Sequence, residues 1–108
     1  MQKISFETIT KEELKKKLDR QEDFQLVNVL PPIYYNLGFI PGSKKIPVED
    51  LERREKELSK EKEVVVYCAN DECKASRQAA EKLAADGFDV KVYTGGISEW
   101  TQSDYPTE

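Results

Sequence analysis

Four consecutive apolar residues, Val64-Val65-Val66-Tyr67, constrain this chain more than any other feature. Side chains of a strand alternate between its two faces, so an apolar run without polar interruption needs cover on both. That is the signature of an interior strand of a parallel sheet with helices packed above and below it. Cys68 follows the run immediately.

The remaining segments fit such a sheet. Ser5 to Ile9 alternates weakly and predicts a short edge strand. Thr10 with Glu13 forms a capping-box pattern that opens a helix over Lys11 to Arg20, with Leu14 and Leu18 as a narrow apolar stripe. Phe24 to Val29 predicts a strand, and Pro31-Pro32 stops it because proline cannot donate to a ladder. Ile33 to Gly42 is irregular, punctuated by Gly38 and Pro41-Gly42. Ile46 is expected on a brief strand, and a second helix is expected from Pro47 to about Ser59. The charges from Glu49 to Glu63 alternate in sign, as on a solvated helix face. A third helix runs from about Ala75 to Asp86, with Ala79, Ala80 and Leu83 inward and Gly87 as its cap. Val90 to Tyr93 is the next strand, and Gly95-Gly96 turns the chain into a short helix carrying Ile97 and Trp100. Strands alternating with helices predict an α/β fold with a mainly parallel, five-stranded sheet and helices on both faces. A length of 108 residues fits one domain, 1–108.

Composition narrows the chemistry. There are 17 basic and 21 acidic residues, net −4, which argues against a nucleic-acid or anionic-membrane surface. No apolar run approaches the roughly 18 residues of a membrane span, and Met1 to Ile4 opens no signal-peptide pattern, so a cytoplasmic location is expected. Histidine is absent, which removes Ser-His-Asp and Cys-His hydrolases and the common zinc sites. The two cysteines, Cys68 and Cys73, are expected to be cytosolic thiols rather than a secreted disulfide framework. No metal and no cofactor are expected.

Cys68 ends the most buried-looking strand, and a six-residue loop, Ala69 to Lys74, separates it from the third helix. In open α/β sheets, ligands bind beyond the carboxyl ends of the strands. Loop amides there can form an anion-binding concavity, and the next helix adds its positive end. A free thiol titrates near 8.5, and a shift to about 6.5 at a helix N-terminus makes the thiolate the majority form. Such a sulfur is a nucleophile without histidine. The bland alternative for Cys68 is a small buried hydrophobe.

Three segments carry a resemblance. Tyr67-Cys68, a short loop and Ala75-Ser76 resemble the active-site segment of the rhodanese family. Gly38-Phe39-Ile40-Pro41-Gly42-Ser43 resembles that family's G-H-I-P-G-A turn. Tyr93-Thr94-Gly95-Gly96-Ile97-Ser98-Glu99-Trp100 resembles its G-G-x-x-x-W segment, with Tyr105-Pro106 beyond. The matches span Phe24 to Pro106 in the family's order. The resemblance implies a single-domain sulfurtransferase. Cys68 would take a sulfane sulfur from a small donor such as thiosulfate, or from a protein persulfide, and pass it to a thiophilic acceptor. The amides of Ala69, Asn70, Asp71, Glu72, Cys73 and Lys74 would cradle the persulfide.

The chain also departs from that pattern. Asn28-Val29-Leu30 stands where members often have Asp-x-Arg, and Phe39 replaces the usual His. The loop from Cys68 to Lys74 has seven residues and two acids, where many active members have six with Gly and Arg. Asp71 and Glu72 oppose a dianionic donor unless they point outward. Related phosphatases share the seven-residue loop but place Arg where Lys74 stands, and a lysine lacks the bidentate fork that suits phosphoryl oxygens. Cys73 is open to three readings: a half-buried helix-entry thiol, a resolving thiol for Cys68, or a second persulfide site. The sulfurs can meet only if the Cα atoms lie within about 7 Å. Tyr34, Tyr35, Phe39 and Trp100 are expected in the core or on a rim. Besides the enzyme, two readings stand: a catalytically inactive binding module with an acidic loop, and a thiol redox switch using Cys68 and Cys73.

Overall fold

The computed structural model describes residues 6–108. Its sheet is built from β1 (Glu7–Ile9), β2 (Gln25–Asn28), β3 (Lys44–Lys45), β4 (Val64–Tyr67) and β5 (Val90–Tyr93). The spatial order is β1-β5-β4-β2-β3, and every pairing is parallel. In the central strand, Val64 lies between Gln25 and Val90, and Tyr67 lies between Asn28 and Tyr93. All four β4 residues are 0% exposed, so both faces of the strand are covered, as its unbroken apolar run requires.

Four α-helices connect and cover the strands: α1 (Lys11–Asp19), α2 (Leu51–Arg54), α3 (Ala75–Ala85) and α4 (Gly96–Gln102). The capping box forms as expected: the Thr10 side chain accepts from the Glu13 amide at 3.1 Å, and Glu13 accepts from the Thr10 amide at 3.0 Å. Leu14 is fully buried, while Leu18 packs at the core's edge. On α3, Ala79, Ala80 and Leu83 are buried, and Gly87 follows the helix at φ +96°, a conformation that glycine adopts without steric penalty.

Two expected elements differ. The helix expected from Pro47 to Ser59 is broken into α2 flanked by 3₁₀ turns at Val48–Asp50 and Glu55–Glu57. Its ion pairs follow the three-residue spacing, Arg53 with Asp50 and Arg54 with Glu57, which suits three residues per turn. Leu51 and Leu58 anchor the segment to the core, and the charged residues of Glu55–Glu57 bury nothing that would hold a continuous helix. The expected strand at Ile46 is instead β3 just before it, although the Ile46 amide still reaches the Asn28 carbonyl at 3.0 Å. Of the edge strand expected from Ser5, only Glu7–Ile9 is observed; Ser5 and the Met1–Ile4 segment lie outside the described residues. The irregular stretch after Pro31 contains a 3₁₀ turn at Pro32–Leu37.

Candidate active site

The chain passes from β2 to β3 on one side of the sheet and from β4 to β5 on the other. The order reverses between β2 and β4, so a crevice opens beyond their carboxyl ends, where ligands bind in sheets of this kind. Cys68 leaves β4 at that point.

Two elements hold its backbone. The Ile97 amide, in the first turn of α4, donates to the Cys68 carbonyl at 2.9 Å, and the Ser98 amide donates to the Ala69 carbonyl at 2.9 Å. Gly96 makes this approach possible: it sits at φ +67°, flat against the Cys68–Ala69 peptide. The sequence shows Gly95-Gly96 as a turn, but the contact with Cys68 is purely tertiary. On the other side, α3 begins at Ala75 and brings Ser76 against the sulfur, with Oγ 3.7 Å from Cys68 Sγ. Ser76 is 3% exposed, so water does not compete for its hydroxyl. The first turn of α3 thus lies beside the same sulfur.

Cys68 and Cys73 are joined by a disulfide, which corrects the expectation of two free thiols. The loop explains it. Asn70 accepts from the Glu72 amide through Oδ1 at 2.9 Å and from the Cys73 amide through its carbonyl at 3.2 Å. This side-chain-supported turn folds the loop back on itself. The two Cα atoms come within 6.4 Å, inside the bridging range. The same bonds correct the expectation that every loop amide cradles the sulfur: those of Glu72 and Cys73 point to Asn70. Cys68 is 1% exposed in this closed form, whereas Cys73 is only half-buried.

Asp71, Glu72 and Lys74 are exposed and do not fold over the sulfur. Two adjoining clefts lie beside the loop. One, of about 350 Å³, is polar and lined by Asn70, Asp71, Thr94, Ser98 and Glu99. The other, of about 390 Å³, is more apolar and lined by Leu37, Ala69, Ile97 and Thr101. Among the aromatic residues, Trp100 is core and donates from Nε1 to the Pro106 carbonyl at 2.7 Å. Tyr35 and Phe39 are half-buried and pack edge to face at 5.1 Å, and Tyr34 is exposed.

The turn from Gly38 to Ser43 is tied to β4 by a short network. Tyr67 Oη accepts from the Ile40 amide at 3.1 Å and lies 2.6 Å from Ser43 Oγ, while Ser43 donates to the Ile40 carbonyl. Burial pushes the Tyr67 phenol above its ordinary value, so it stays a neutral donor and acceptor. Asn28, at the end of β2, accepts from the Leu30 amide at 2.9 Å, a bond that the Asp expected there would make equally.

The model of the rhodanese-like domain matches residues 10–103. The chain belongs to the rhodanese-like family. This rhodanese-like domain is 31% identical over 99 residues to a sulfurtransferase of Allochromatium vinosum, covering 91% of each chain. It is 31% identical over 102 residues to an HTH-type transcriptional regulator of Mycobacterium tuberculosis, covering 94% of this chain but 45% of the regulator. The crystal structure of a rhodanese-related protein from Thermoplasma volcanium superposes with a TM-score of 0.83 at 26% identity, covering 95% of this chain and 98% of that one. Among the described residues, no helix is long and apolar enough to cross a membrane.

Proposed function

We propose that the reduced chain is a sulfurtransferase that carries sulfane sulfur as a persulfide on Cys68. The observation that carries this reading is the place of Cys68: the carboxyl end of the central strand, at the crevice, against Ser76 in the first turn of α3. The rhodanese-like family and a sulfurtransferase relative of nearly equal length support it. The thiolate attacks the outer sulfur of thiosulfate or polysulfide. The donor's S–S bond breaks, and its electron pair leaves with sulfite or the shortened polysulfide. Loop amides not engaged by Asn70 and the start of α3 face the developing anion. A thiophilic acceptor, small or a protein thiol, then takes the outer sulfur. No proton shuttle is needed, consistent with a sequence without histidine.

The disulfide form cannot begin this cycle, because its Cys68 sulfur is neither a thiolate nor accessible. The activity therefore belongs to a reducing compartment such as the cytoplasm. The test uses the pre-reduced Cys73→Ser chain, which cannot close the disulfide. Treated with inorganic polysulfide, it should gain about 32 Da, the mass of one persulfide sulfur, and cyanide should remove that mass. Cys68→Ser should gain nothing, and loading that survives Cys68→Ser would reject Cys68 as the carrier.

A further inference from the structure

We infer that Cys73 resolves the Cys68 persulfide, releasing the sulfane sulfur as hydrosulfide and leaving the Cys68–Cys73 disulfide found in the structure. This rests on the persulfide reading of Cys68 and adds a second activity to it: reduction of sulfane sulfur within one domain.

The Asn70 turn carries the argument. It holds Cys73 with its Cα 6.4 Å from that of Cys68, a separation a disulfide spans, with β4 and α3 intact on either side of the loop. A thiol tethered this closely competes with any acceptor in solution, since its attack is intramolecular. Cys73 lies in the same loop, half-buried beside Cys68, so it needs no diffusional encounter.

The step balances. The Cys73 thiolate attacks Cys68 Sγ, and a new S–S bond forms between the two cysteines. The bond from Sγ to the outer sulfur breaks, and its electron pair leaves with that sulfur, which takes up the proton given by the Cys73 thiol and departs as hydrosulfide. Two cysteine sulfurs are oxidised, and one sulfane sulfur is reduced. The next cycle needs an external dithiol reductant. Its first thiolate attacks Cys73, the more accessible sulfur, and expels Cys68 as a thiolate beside the Ser76 hydroxyl. Its second thiol then frees Cys73.

The experiment compares the pre-reduced wild-type chain with Cys73→Ser and Cys73→Ala, treated anaerobically with inorganic polysulfide and read by intact mass. The wild type should become about 2 Da lighter than its reduced form, the two hydrogens lost on closing a disulfide. Both variants should instead hold one extra sulfur, about 32 Da. A wild type that keeps the extra sulfur as stably as the variants overturns the resolving role and leaves the persulfide reading standing. If neither variant is loaded, the persulfide reading itself falls and takes the inference with it. The two replacements guard against one of them misfolding, and the wild-type mass decides by itself between closure and retention.

Discussion

A β-carbon on Gly96 would stand 2.5 Å from the carbonyl oxygen of Cys68 and 2.6 Å from the carbonyl carbon of Ala69. The neighbour is backbone, so nothing flexible can give way. The backbone of Cys68 is thus shaped by a glycine 28 positions later in the chain. Gly96→Ala adds the strain of a side chain at φ +67° to this clash. It should destabilise the fold by about 1–3 kcal/mol. Sulfur loading of the reduced chain should slow by more than the stability loss explains, up to about a hundredfold if the sulfur moves by about 1 Å. Thermal melts and loading kinetics on the same samples check both effects.

Ser76 touches the sulfur without touching any donor. In Ser76→Ala, the reduced chain should keep its fold but lose a hydrogen bond to the charged form of Cys68. The pH midpoint of iodoacetamide alkylation should therefore move up by about one to two pH units, since a bond to a charged group contributes roughly 1.5–3 kcal/mol. An unchanged midpoint would mean that the hydroxyl only fills space.

The exposed acids should select the donor. Asp71→Asn combined with Glu72→Gln should lower the thiosulfate KM by roughly threefold at low salt, because each removes a weak, solvent-screened repulsion. The difference should shrink as salt is added. Loading from an uncharged organic trisulfide should change less, and thiosulfate kinetics unaltered at low salt would refute the electrostatic account.

Acid should weaken the fold through Glu63. Burial pushes this carboxyl up, but its ion pairs with Lys17 and Lys91 outweigh it and hold the group below its ordinary value of 4.5. The ion pairs measure 2.8 and 2.9 Å. A carboxyl depressed in the folded state adds stability above its ordinary value, and that stability is lost as pH falls below 4.5 toward the folded value. Lys17 and Lys91 are raised, so their share persists below the ordinary 10.5 and disappears as pH rises through their folded values. Glu63→Gln should cost about 1 kcal/mol at neutral pH. The difference in Tm from the wild type should close on acidification, and a gap that stays constant down to acid denaturation would exclude the ion pairs as its source.

Much of the fold was legible because local rules and tertiary demands agree. The Val64–Tyr67 run could be satisfied only by an interior strand, and it is one. The Thr10–Glu13 box and the Gly87 cap mark helix ends through bonds and dihedrals confined to a few residues. Cys68 stands out in the sequence because a strand end and a helix start flank it.

What the sequence by itself determined is the doubly covered strand Val64–Tyr67, the position of Cys68 just beyond it and the family those motifs mark, since each is read from residues within one strand or one short motif. Only the tertiary structure decided the rest. It broke the Pro47–Ser59 segment, because the charged residues between Leu51 and Leu58 bury nothing that would hold a continuous helix. It set Gly96 and Ser76 against Cys68 from two different helices. It also brought Cys73 to Cys68, since spacing along a loop leaves its path open, and the Asn70 turn is what closes the distance.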